Sequence, residues 1–156
     1  MSSNVFSQSI DECLTNLSGQ WSGSLTYIDF SDDVTRSSID CQMAATWKKQ
    51  TLTISIGFTE PNGKVFYDKS KIKIKEKGAQ FVYNGSRYTV KEIEPRNSSK
   101  GWRITATTTA KDNQKEAAIR LILELSDEQF TMTKEVKYLN SEEYFIRNTY
   151  SFIRIN

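Results

Sequence analysis

Histidine is absent from the chain. That one absence removes serine–histidine–aspartate and cysteine–histidine catalysis, histidine-ligated haem, and most zinc or non-haem iron sites. Any chemistry has to run on carboxylates, tyrosine, lysine, arginine or cysteine. Cysteine is scarce too: Cys13 and Cys41 are the two present, too few for a disulfide scaffold and not at a metal-binding spacing. A single bridge between them is open, and two buried free thiols are the plainer expectation. Neither sign of charge dominates, with 21 Lys and Arg against 19 Asp and Glu, so the net charge of +2 does not describe a nucleic-acid surface. No apolar run approaches membrane-spanning length, and Met1–Phe6 lacks the basic segment and apolar run of a secretion signal, so a cytoplasmic location is expected. Proline interrupts the chain only at Pro61 and Pro95. No catalytic residue, no metal and no cofactor is expected.

What is present is aromatic and alternating. Aromatic residues make up 12% of a chain of 156, the balance of half-buried strands with one bulky inward row and one polar outward row. That length suits one domain over residues 1–156 with a full core. Phe6, Ile10, Cys13, Leu14 and Leu17 share a helical face, so a short helix is expected over about residues 6–17. Ser9 and Glu12 form a capping box near its start and Gly19 is read as its stop. From Gln20 onward nearly every segment alternates. Trp21, Gly23, Leu25 and Tyr27 share one face, as do Ile39, Cys41, Met43, Ala45 and Trp47, then Leu52, Ile54, Ile56 and Phe58. Val65 to Lys75 sets Phe66, Ser70, Ile72 and Ile74 against Lys69, Lys71, Lys73 and Lys75. Pro61-Asn62-Gly63 and Asn84-Gly85 mark tight turns. Shorter runs follow over 79–84, 87–93, 101–110, 116–125, 128–138 and 143–155, with a polar loop at 94–100. Successive strands on short turns imply an all-β, up-and-down meander of about eight to ten strands over residues 20–155, which closing into a barrel relieves of exposed edges.

The order of short helix, Gly19-x-Trp21-x-Gly23 strand and antiparallel meander resembles the calycin superfamily of lipocalins and fatty-acid-binding proteins. The resemblance implies that Trp21 packs low in a closed barrel against an arginine from the end of the last strand, which here is Arg154. It also implies a small hydrophobic ligand held inside, fatty-acid-like or otherwise apolar. The fatty-acid-binding proteins grip a carboxylate with an Arg-x-Tyr pair in the last strand. Here Arg147 and Tyr150 are three apart, which in a regular strand places them on opposite faces, so that grip is not carried over.

The inward rows nominate Tyr27, Met43, Trp47, Phe58, Phe66, Tyr88 and Trp102 as ligand-lining residues. Asn148 and Tyr150, on a last-strand row of Tyr144, Ile146, Asn148, Tyr150 and Phe152, are the polar groups that would orient a ligand. The same rings could instead fill the barrel. The lysine row Lys69–Lys75 reads first as a solvated face, and second as a weak contact for an anionic membrane surface. Cys41 lacks a histidine base, and Asp29, Asp68 and Glu124 have no spacing that would assemble them. Beside enclosure of a ligand stand two alternatives: an isomerase- or cyclase-type enzyme using a shaped apolar pocket, and a protein-interaction module.

Overall fold

The computed structural model describes residues 9–96 and 101–155. Helix α1 (Ile10–Thr15) precedes ten strands: β1 (Gly19–Ile28), β2 (Arg36–Lys48), β3 (Thr51–Thr59), β4 (Val65–Lys75), β5 (Gln80–Tyr83), β6 (Ser86–Arg96), β7 (Gly101–Asp112), β8 (Lys115–Leu125), β9 (Gln129–Tyr138) and β10 (Phe145–Arg154). Each strand pairs antiparallel with its sequence neighbours and β1 pairs with β10, so the sheet closes on itself. The fold is a closed ten-stranded up-and-down β-barrel with a short helix at one end.

The inward rows of β1 to β3 are those the alternation predicts. Cys41, Met43, Ala45, Leu52, Ile54, Ile56 and Phe58 are buried, while their sequence neighbours face solvent or the flanks. The helix is shorter than expected. Ser9 caps it, its Oγ accepting from the Glu12 amide (3.3 Å) and its hydroxyl donating to Glu12 Oε1 (3.2 Å). Asn16, not Gly19, ends it. Phe6 lies outside the described residues. Ile10, Leu14 and Leu17 are fully buried, so α1 plugs its end of the barrel with its apolar face.

Two glycines explain the Gly-x-Trp-x-Gly segment. Gly19 has φ +136°, and a Cβ there would lie 2.7 Å from Arg154 Nη1. Gly23 sits on the closing seam, where a Cβ would come within 1.8 Å of the Ser151 carbonyl oxygen. Gly23→Ala is therefore expected to push β10 away from β1 and to lower stability by about 1–3 kcal/mol, the usual cost of overpacking. A fall in urea midpoint at constant slope is the measurement that checks it.

Two stretches depart from the expected pattern. β6 continues through Pro95 to Arg96, so the loop expected at 94–100 is shorter; residues 97–100 lie outside the described set. Pro95 is tolerated because β6 past Val90 has a strand partner only on its β7 side. In β10 a bulge between Ile146 and Asn148 shifts the register. Ile146, expected inward, is 41% exposed, and Tyr144, also expected inward, stacks on Arg120, 4.1 Å from its ring centre, outside the barrel. Arg147 turns inward and is buried, so Arg147 and Tyr150 face the same side rather than opposite ones.

Candidate functional site

The two ends of the barrel are built differently. At the helix end Trp21 is completely buried, and its Nε1 donates to the Leu17 carbonyl (2.9 Å). Arg154, its register partner across β1 and β10, lays its guanidinium 4.3 Å from the indole centre. Arg154 also donates to the carbonyls of Asp127 (2.6 Å), Ser18 (2.9 Å) and Asn16 (2.5 Å), which ties the helix exit, the β1 start and the β8–β9 turn together. That end is a solid anchor.

The other end is open on one side because β5 has only four residues. Its pairing with β4 stops at Ile72↔Tyr83, and β6 pairs with β7 only up to Thr89↔Thr107. Asn84-Gly85 forms the two-residue turn, both residues at positive φ as its sequence demands. Residues 65–71 of β4 and 108–112 of β7 are thus left with a neighbour on one side only, and a notch separates them. Inside it lies a cavity of about 180 Å³.

Its wall mixes Ile119, Leu121 and Met132 with Tyr83, Asn84, Ser86, Tyr88, Lys111, Lys134, Asn148 and Tyr150. Lys134 stands on the inward row of β9, in register between Asn148 of β10 and Leu121 of β8. Burial pushes the Tyr88 and Tyr150 phenols up to about 12, so both remain neutral hydroxyl donors at ordinary pH.

Of the nominated residues, Tyr88, Asn148 and Tyr150 line this cavity. Tyr27 is the register partner of Asn148 in the same half. Phe58 stacks on Phe66 (5.0 Å between ring centres) and lies 6.4 Å from Tyr150, while Phe66 itself is 45% exposed at the rim. Met43, Trp47 and Trp102 belong to the helix-side half. Met43 is the register partner of Trp21, the Trp47 amide donates to Ser18 Oγ (2.9 Å), and Trp102 sits with Cys13, Leu17 and Leu125. The structure gathers six of the nine in the open half and leaves three in the packed half.

Sequence reasoning missed the polar cluster beside the cavity. Arg147 Nη2 donates to Asp112 Oδ2 (2.6 Å) and to the Tyr138 hydroxyl (2.9 Å), lies 3.0 Å from Asp33 Oδ1, and Nη1 donates to the Ile28 carbonyl (3.1 Å). The rings of Phe30 and Phe145 cover the guanidinium at 4.3 and 4.9 Å. Tyr138 donates to Asp112 Oδ2 (2.8 Å), and the Lys134 ammonium lies 3.2 Å from Asp112 Oδ1. Burial alone would raise the Asp112 carboxyl, but hydrogen bonds from Arg147 and Tyr138 and the Lys134 charge outweigh it and hold the group below its ordinary value. The signal was there in part: Asp112 and Lys134 fall on the inward phase of their strands, where a charge is out of place.

Asp29 caps the turn after β1 through the Ser31 amide (2.8 Å), and Glu124 pairs with Arg96 on the outer face (3.5 Å), so neither joins the cluster. Both cysteines are free and buried, and desolvation pushes Cys13 to about 12 and Cys41 to about 11, which leaves neither as a ready nucleophile. Among the described residues, no group of three or more His, Cys, Asp or Glu side chains is arranged to hold a metal ion. No helix among them is long and apolar enough to cross a membrane.

No protein-family model matches this chain, and no curated protein matches it. Solved structures do, and one of them shows the likeness over nearly the whole chain. The crystal structure of Rv2717c from M. tuberculosis superposes with a TM-score of 0.59 over 93% of this chain and 96% of that one. At 10% sequence identity the likeness is one of fold. Rv2717c therefore supports the ten-stranded barrel and leaves the contents of the cavity to the chain's own residues.

Proposed function

We propose that this protein is a calycin-like barrel that encloses a small molecule in the open half of its interior. The observation that carries the reading is the 180 Å³ cavity beside the notch, walled partly by aliphatic and partly by polar side chains. Among the described residues neither the Tyr88 nor the Tyr150 hydroxyl nor the Asn148 amide makes a hydrogen bond to protein. All three line the cavity, where water or a bound molecule can partner them. A cavity near 150 Å³ admits a benzene-sized molecule, whereas drug-sized ligands need about 300 Å³ or more. The ligand is accordingly compact, with an apolar body against Ile119, Leu121 and Met132, rather than a long acyl chain. Access runs through the notch, where Phe66 stands at the rim.

An acid–base enzyme is the weaker reading. The phenols facing the cavity are pushed far from neutrality, and Asp112 is committed to Arg147. The outer row Lys69, Lys71, Lys73 and Lys75 is fully solvent-facing and suits a solvated face better than a membrane contact.

Enclosure is tested with benzamide, a neutral planar probe of the right size, titrated against protein carrying labelled methyl groups. Saturable shifts at Ile119, Leu121 and Met132, with Leu52 and Ile54 unmoved, are expected. Uniformly small, non-saturating shifts would remove the reading.

A further inference from the structure

We propose that the enclosed molecule is a small organic anion whose charged group takes the Lys134 ammonium over from Asp112. The inference rests on the enclosure reading and deepens it.

Three features of the cavity carry it. First, the lining residues include two lysines, the exposed Lys111 and the inward Lys134, and no carboxylate. Around Lys134 the other free polar groups include the Tyr88 and Tyr150 hydroxyls, both protonated, and the Asn148 amide. All three can donate, and several donors with one cation surround an oxyanion better than a neutral or positive group.

Second, Lys134 is held loosely where Arg147 is held firmly. Arg147 and Tyr138 converge on Asp112 Oδ2 at 2.6 and 2.8 Å. Lys134 approaches only Oδ1, at 3.2 Å, and that oxygen has no aligned hydrogen-bond partner at all. Asp112 can therefore lose Lys134 and still keep a charged and a neutral donor. The ammonium, on a flexible four-carbon stem, can turn into the cavity beside Asn148 without exposing a bare carboxylate. Arg147 has no such freedom, being covered by Phe30 and Phe145 and bonded to the Ile28 carbonyl.

Third, the notch is polarised, with the solvent-exposed Asp68 on its β4 side. Asp68 lies on the β4 row with Phe66 and Ser70, five strands round the ring of ten from β9. Among the described residues its carboxylate has no cationic partner. An anion entering past Asp68 is repelled on that wall and attracted on the opposite one, which fixes its orientation: charged group at Lys134, apolar body against Leu121 and Met132.

Benzoate, benzamide and benzamidine share one shape and differ in charge, so they separate charge from fit. With the wild-type protein, benzoate is expected to bind at least tenfold tighter than benzamide, and benzamidine weakest, read from saturable methyl shifts at Ile119, Leu121 and Met132. Lys134→Met should bring benzoate down to the level of benzamide and leave benzamide within about twofold, while Lys134→Arg keeps most of the preference. If benzamide or benzamidine binds as tightly as benzoate, enclosure stands and the anion assignment falls. If none of the three gives saturable shifts, both fall. The wild-type series decides the matter even should the Lys134→Met protein fail to fold.

Discussion

Arg147→Ala is expected to destabilise the protein by about 3–5 kcal/mol, because it strands a fully buried carboxylate. The Asp112 side chain is shut off from water, and Arg147 supplies its shortest contact, at 2.6 Å. The loss is one of compensation more than of attraction. Removing both charges, as in Arg147→Met with Asp112→Leu, should recover much of the deficit, since a buried pair replaced by apolar groups of similar size is often near neutral. Urea unfolding followed by tryptophan fluorescence measures both proteins.

The same cluster sets an acid limb. The Asp112 carboxyl is held below its ordinary value of 3.8 in the folded chain, so the unfolded chain takes up the proton first as pH drops. The stability that Asp112 contributes is complete above the ordinary carboxylate range. It drains away as pH falls below 3.8 toward the folded value. An Asp112→Asn protein should lack that limb and be less stable than wild type at neutral pH, with the gap closing in acid.

Trp21→Ala should cost a similar amount, about 3–5 kcal/mol, at the other end. The indole is the largest fully buried side chain and touches Phe130 edge-on, with ring centres 6.3 Å apart. Its removal opens a hole beneath α1 and withdraws the surface on which Arg154 lies. Trp21→Phe should lose less, since it keeps a ring but forfeits the bond to the Leu17 carbonyl. A double-mutant cycle with Arg154→Met isolates the stacking, expected at about 0.5–2 kcal/mol. A coupling near zero would mean that Arg154 acts only through the three carbonyls it holds.

The barrel was legible because its signals repeat. Alternation places nearly every strand within two or three residues, and the Trp21 and Arg154 ends meet as closure of a meander requires. Turns without a glycine were still found from the strands that flank them: Lys49-Gln50 and Asn113-Gln114 both adopt positive φ. What stayed hidden has a physical reason in each case. A bulge adds one residue without any compositional mark, so the phase of β10 before Asn148 was read one step off and Arg147 was sent outward. The cavity depends on the brevity of β5 and on where two ladders stop, and neither is a property of residue type. Lys134 and Asp112 were readable in the alternation as charges on an inward phase, but only their meeting with Arg147 shows what they do.

The separation of anchor from notch bears on how such a chain can change over time. Trp21, Arg154 and the plug of α1 share no contact with Tyr88 or Lys134, and residues with no shared partners usually vary independently. Lineages could therefore reshape the chamber by altering a handful of side chains near the β5–β6 turn, at little risk to folding. Divergence among relatives should be greatest around that opening and least beneath the helix.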